Sequence, residues 1–199
     1  MDGGGKAVSD TVSALRRAKR INVVGTSGTG KTTFSRQLAA VLGLPCEELD
    51  RLYWRPGWEA APDEDFLAAV ERAVAEECWV LDGNYNKTAH IKWAAVECVV
   101  WLDYSFARVL FQAVSRAWRR SVTKEEIWPG TGNRESFRKS FISRDSIILW
   151  TLKTYSSNRA RYLELMADGP RQGFAVVRIE SAAEAEEGLR ALAERLPDF

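Results

Sequence analysis

Histidine is nearly missing from this chain of 199 residues, with His90 standing alone. A metal site built from several imidazoles is thereby excluded. Cysteine is scarce too: Cys46, Cys78 and Cys98 are odd in number and lack C-x-x-C spacing. They read as reduced core thiols, so the expected location is cytoplasmic. No apolar run approaches membrane-spanning length and no signal-peptide core opens the chain, so no membrane partner is expected. Charge of one sign is also lacking overall. A net charge of +1 excludes a general polyanion binder and an acidic tail protein. No internal repeat and no low-complexity tract is present.

What is there begins with 46% apolar residues, enough for one sizeable core in a single domain. Residues 1–19 read as a flexible tail and lead-in, because Gly3 to Gly5 cannot pack, and 20–199 read as the domain. "RINVVG" (20–25) is a β-branched run ending in glycine, hence a buried strand. Phe34, Leu38, Val41 and Leu42 follow at helical spacing, with Gly43 as a stop. "PCEELD" (45–50), "CWVLDG" (78–83), "ECVVWLDY" (97–104) and "FAVVRI" (174–179) read as four more short strands. Helical patterns separate them, from "PDEDFLAAVERAVAEE" to the basic helix 106–121 and the helix 145–166. Ser181 and Glu184 are spaced as a capping box for the last helix. Short apolar strands alternating with helices predict an α/β fold, a parallel sheet covered on both faces, with ligands beyond the strands' carboxyl ends.

The sharpest motif lies at the end of the first strand. Gly25-Thr26-Ser27-Gly28-Thr29-Gly30-Lys31-Thr32 satisfies G-x-x-x-x-G-K-[ST] at every fixed position, and Thr33 follows. Glycines let the backbone wrap phosphates with successive N–H groups inward. The helix starting near Lys31 aims its positive end at them. Lys31 has the reach for β- and γ-phosphates, and Thr32 offers a hydroxyl to Mg²⁺. ATP and Mg²⁺ are therefore the expected cofactors.

Around that cradle the pattern predicts further groups. Asp82, ending the third strand, is a candidate for the Mg²⁺ water shell or for orienting an acceptor hydroxyl. Asp50, at the end of the second strand, is a candidate acceptor contact or general base. Tyr53, Trp54 and Trp58 offer flat faces to a planar acceptor or simply pack their segment down. Eight Lys or Arg lie between 116 and 144 against Glu125, Glu126 and Glu135. Arg116 and Arg120 share one helix face, Arg134 lies in the glycine-containing loop, Arg144 opens the next helix and Arg159 lies along it. Guanidinium groups match phosphate oxygens, so a segment over about 116–160 has the composition of a lid that keeps water from the transferring group. Two rival readings remain. One is nucleic-acid binding, ranked lower because glutamates interrupt the basic residues. The other is a nucleotide-regulated binding module acting on DNA or a protein partner. The sequence is silent on oligomeric state.

The cradle, "ELDRLYW", "WVLDGNY", "VVWLDY" and "GNRESFRKSFISRDSIILW" together resemble the small bacterial P-loop proteins related to adenylate kinases, often labelled "DNA topology modulation protein". The resemblance spans nearly all of 20–196. It implies a three-layer P-loop NTPase fold with five parallel strands in order 2-3-1-4-5, a mobile acceptor segment after strand two and a helical lid after strand four. It implies ATP·Mg²⁺ held by Lys31 and Thr32, Arg116 and Arg120 at the lid entrance, Arg144 and Arg159 from the lid and its following helix, and Glu180 and Ser181 flanking adenine. It implies catalytic roles for Lys31, Asp82, Arg120 and Arg144 in phosphoryl transfer to a small-molecule acceptor. Where adenylate kinases follow the aspartate–glycine pair with a phosphate-gripping arginine, this chain carries Asn84, Tyr85 and Lys87. Asn84 and Tyr85 thus join Asp50, Tyr53, Trp54, Asp82 and Arg159 as expected acceptor contacts.

Overall fold

The computed structural model describes residues 3–123, 126–134 and 147–194, with side chains described over 9–123, 126–134, 153–168 and 173–194. Five parallel strands form the sheet: β1 (Arg20–Gly25), β2 (Cys46–Glu48), β5 (Trp79–Asp82), β6 (Cys98–Leu102) and β7 (Ala175–Ile179). Their spatial order is β2-β5-β1-β6-β7. Counting these strands alone in chain order, that is 2-3-1-4-5, as expected. A two-stranded antiparallel hairpin, β3 (Trp54–Arg55) and β4 (Glu59–Ala60), lies outside this sheet.

Strand alternation sends side chains to two cores. Ile21, Val23, Val80, Cys98, Val100 and Leu102 pack on one face, together with Phe34 and Leu38 of α2 (Lys31–Leu42) and Leu192 of α8 (Ala182–Glu194). Val24, Leu81, Val99 and Trp101 face the opposite side, against Phe66 and Val70 of α4 (Asp63–Ala75) and Tyr162 of α7 (Ile147–Gln172). Helices α5 (Ala89–Ala95) and α6 (Phe106–Thr123) flank the sheet as well. This is a three-layer α/β fold, a five-stranded parallel sheet with helices on both faces. Among the described residues no helix is long and apolar enough to cross a membrane.

Two expectations are corrected. The flexible lead-in is largely helical: α1 spans Gly3–Arg17. Val12 and Leu15 are each 1% exposed in the first core, and α1 packs on α8. Apolar residues at spacings of three outweigh the glycines at the helix start. Strand two is also shorter than "PCEELD". After Glu48 the chain turns into α3 (Leu49–Tyr53), which buries Leu49 completely and places Asp50 on a helix. The capping box holds, with a shift: Glu184 N–H donates to Ser181 Oγ at 3.1 Å, while Glu184 Oε2 accepts from the N–H of Glu180 at 2.7 Å.

Candidate active site

All sheet strands are parallel, so their carboxyl ends gather at one edge. Val23, Glu48 and Asp82 are register partners there, and Gly25 lies opposite Leu102. The cradle grows from this edge. Gly25 has φ of 150°, and a Cβ there would stand 2.8 Å from Leu102 O. Gly28 has φ of 99°, and its Cβ would stand 2.9 Å from Val109 O and 3.1 Å from Ala113 Cβ of α6. Backbone and helix approach closely only because both side chains are missing. Buried Thr29 closes the loop on itself, its N–H and hydroxyl both donating to Thr26 O, at 3.2 and 2.9 Å. Gly30 begins α2 in the left-handed region and no side chain caps it. The first-turn amides of Lys31, Thr32 and Thr33 thus carry the helix's positive end without a side-chain acceptor.

Lys31 reaches back across the loop, Nζ donating to Thr26 O at 3.2 Å. Enclosure of its ammonium lowers its pKa and nearby Arg116 lowers it further, while Asp82 and Asp50 oppose that fall. Thr32 Oγ1 donates to Asp82 Oδ2 at 2.5 Å. Asp82 is 5% exposed, and its Oδ1 has no hydrogen-bond partner among the described residues. Burial pushes its carboxyl up to about 6; Lys31 and the Thr32 hydroxyl pull down, and Asp50 and Glu48 push up. A buried carboxylate with one open oxygen, beside a hydroxyl at a phosphate-type loop, is the oxygen set that a small hard cation takes. Thr32 and Asp82 therefore fit Mg²⁺. The only histidine, His90, belongs to α5, and no cluster of three His, Cys, Asp or Glu occurs among the described residues.

On the β2–β5 side, Tyr85 donates its hydroxyl to Asp50 Oδ1 at 2.7 Å. Burial and the Asp50 charge push the Tyr85 phenol far above its ordinary value, so it stays a donor. Tyr53 packs its ring against Phe66, Tyr85 and Trp54, with centroids 5.1, 4.9 and 4.9 Å away. Trp54 continues to Trp58 and Trp58 to Trp128. These aromatics chiefly pack their segment. Buried Asn133 latches it: Oδ1 accepts from Trp58 N–H at 2.9 Å and Nδ2 donates to Arg55 O at 3.0 Å.

Other expected site residues are placed differently. Asn84 clasps the cradle instead of facing an acceptor: Oδ1 accepts from Gly25 N–H at 3.1 Å, and Nδ2 donates to Gly25 O. Arg159 lies on α7. It pairs with Asp103, just past the end of β6, with Nε 3.0 Å from Oδ1, and Arg178 Nη2 binds the same carboxylate at 2.5 Å. Lys87 is taken by Asp63 at 2.5 Å. Arg116 does meet the cradle, Nη2 donating to Ser27 Oγ at 3.4 Å. Arg120 lies one turn further along α6, half-buried. Arg144 lies outside the described residues, as does much of the expected lid. Sequence reasoning missed Asn22, Lys92, Asp103 and Asn133, all buried polar groups. Only Asn22, an amide inside an apolar strand, stood out from its neighbours in the sequence.

No family model matches the chain, and no curated protein matches it. Among solved structures, a gluconokinase from Sinorhizobium meliloti 1021 is similar, at 21% identity over 87% of this chain and 93% of that one, with a TM-score of 0.47.

Proposed function

We propose that the protein is an ATP-dependent phosphotransferase acting on a small-molecule acceptor, as the resemblance to the topology-modulation group of P-loop proteins implies. The observation that carries this reading is the convergence of Lys31, Thr32 and Asp82 at the mouth of a glycine loop whose following helix is uncapped. The amides of Gly28 and of Gly30 to Thr33 bind the phosphates, and Lys31 leaves the Thr26 carbonyl to meet them. Thr32 and Asp82 would hold Mg²⁺. ATP·Mg²⁺ supplies the γ-phosphoryl group and draws charge from its oxygens. Arg116 adds positive charge from α6 near Ser27, and Arg120 and Arg144 are assigned the same task. The acceptor occupies the space before Asp50, Tyr53, Trp54, Asp82 and Tyr85, where Asp50, steadied by Tyr85, takes the proton of the attacking hydroxyl.

The test is ADP formation from ATP·Mg²⁺ across a panel of sugars, polyols, nucleosides and nucleotides. The expected result is turnover that depends on one acceptor and vanishes in Lys31→Ala with an unchanged circular dichroism spectrum. Near-normal turnover in that variant would refute the role of Lys31. A wild type that binds ATP·Mg²⁺ but answers to no acceptor would favour the nucleotide-regulated binding module instead.

A further inference from the structure

Lys92 is a lysine on the buried face of α5, 1% exposed. Its ammonium donates to Gly83 O at 3.2 Å and lies 6.0 Å from the Trp93 ring centroid. No carboxylate of the described residues stands within ion-pair distance of it. Asn22 already donates to the same carbonyl, at 3.4 Å, and to Leu81 O at 2.9 Å. A neutral core residue would thus leave Gly83 O with a partner, so hydrogen bonding alone does not explain a buried charge that costs several kcal/mol to desolvate.

The turn that Lys92 grips suggests why the charge is there. Asp82 bonds Thr32, Gly83 accepts from Lys92, and Asn84 clasps both backbone groups of Gly25. Asp82 and Asn84 thus tie the end of β5 to both ends of the cradle, and Gly83 between them ties it to α5. Resting on the reading of the cradle as a triphosphate site, we propose that Lys92 is a positioning residue, whose ammonium locks the 82–84 turn against Gly25 and adds positive field beneath the bound phosphates. The Asp82 charge acts on both lysines, Lys31 and Lys92. Burial and the neighbouring Arg161 guanidinium bring Lys92 down to about 7, against the pull of Asp82. Such a charge is poorly compensated in the free protein and better compensated when phosphates arrive, which makes it a contributor to binding and a liability to the fold.

Calorimetric titration with ATP·Mg²⁺ and thermal unfolding of wild type, Lys92→Met and Lys92→Arg test this together. Lys92→Met is expected to melt no lower than wild type, because an unpaired buried charge is gone, yet to bind ATP·Mg²⁺ about tenfold or more weakly, the worth of one charge-assisted hydrogen bond. Lys92→Arg keeps the positive charge and is expected to bind ATP·Mg²⁺ more tightly than Lys92→Met. Unchanged affinity in Lys92→Met overturns the proposal, and so does a lower melting temperature with unchanged affinity, the mark of a core filler. If Lys92→Met does not fold, Lys92→Gln replaces it under the same criteria. A wild type that fails to bind ATP·Mg²⁺ overturns the cradle reading itself, and this inference with it, whereas equal binding by wild type and variant sinks the Lys92 claim alone.

Discussion

Replacing Asp82 by asparagine separates what this carboxylate costs the fold from what it does for the ligand. The side chain is 5% exposed, and burial lifts its pKa from 3.8 to about 6. A folded value above the unfolded one means the native state holds a proton that the unfolded chain has released between those two values. Stability therefore falls as pH rises from about 4 to about 6, and stays lower above it. The rise is roughly two pH decades, each worth about 1.4 kcal/mol, so the ionised carboxylate costs roughly 3 kcal/mol at pH 7. Asp82→Asn keeps the size of the group and a partner for the Thr32 hydroxyl while removing that cost. Lys31 loses a supporting charge in the exchange, so 3 kcal/mol is an upper figure. Urea denaturation at pH 4, 5, 6 and 7.5 reads the effect directly. The variant should be the more stable protein at pH 7.5, by about 1–3 kcal/mol, and the advantage should shrink towards pH 4. Adding ATP with Mg²⁺ should reverse the order, because only wild type gains extra stability from the metal. A variant less stable than wild type at pH 7.5, or an advantage unchanged by pH, would refute the burial argument.

Gly28→Ala forces a Cβ to 2.9 Å from Val109 O at a φ of 99°, so it should cost about 1–3 kcal/mol in chemical denaturation and weaken nucleotide binding; wild-type stability and affinity would show that α6 does not press on the loop. Ser181→Ala removes the acceptor of the Glu184 N–H and should lower stability by about 1 kcal/mol in the same measurement. No loss of stability there would show that the cap contributes nothing.

The sheet was legible because its strands are short apolar runs between helical patterns, and the cradle because glycine, lysine and threonine at fixed spacing have few other uses. The groups that tune the cradle were not legible. Lys92 sits in "HIKWAA", where a lysine on a short helix reads as solvent-facing; only tertiary packing turns it inward. Asn84 carries an amide suited to an acceptor, and its capture by Gly25 follows from the β1–β5 pairing, which joins residues about 60 apart in sequence. The pairing of Arg159 with Asp103 was not legible either, because helix position alone does not say which strand end a guanidinium meets. The helix α1 escaped because three glycines masked an apolar stripe that needs α8 to be buried.

The claim beneath all of this is that the main-chain amides of Gly28 and of Gly30 to Thr33 close on a triphosphate. Nitrogen-15 amide spectra recorded during titration with a non-hydrolysable ATP analogue and Mg²⁺ examine those amides one by one. The account predicts large shifts at Gly28, Gly30, Lys31, Thr32 and Thr33 that saturate together and are lost in Lys31→Ala. A folded protein whose signals at these residues stay put while ligand is added, or move only elsewhere, would contradict it.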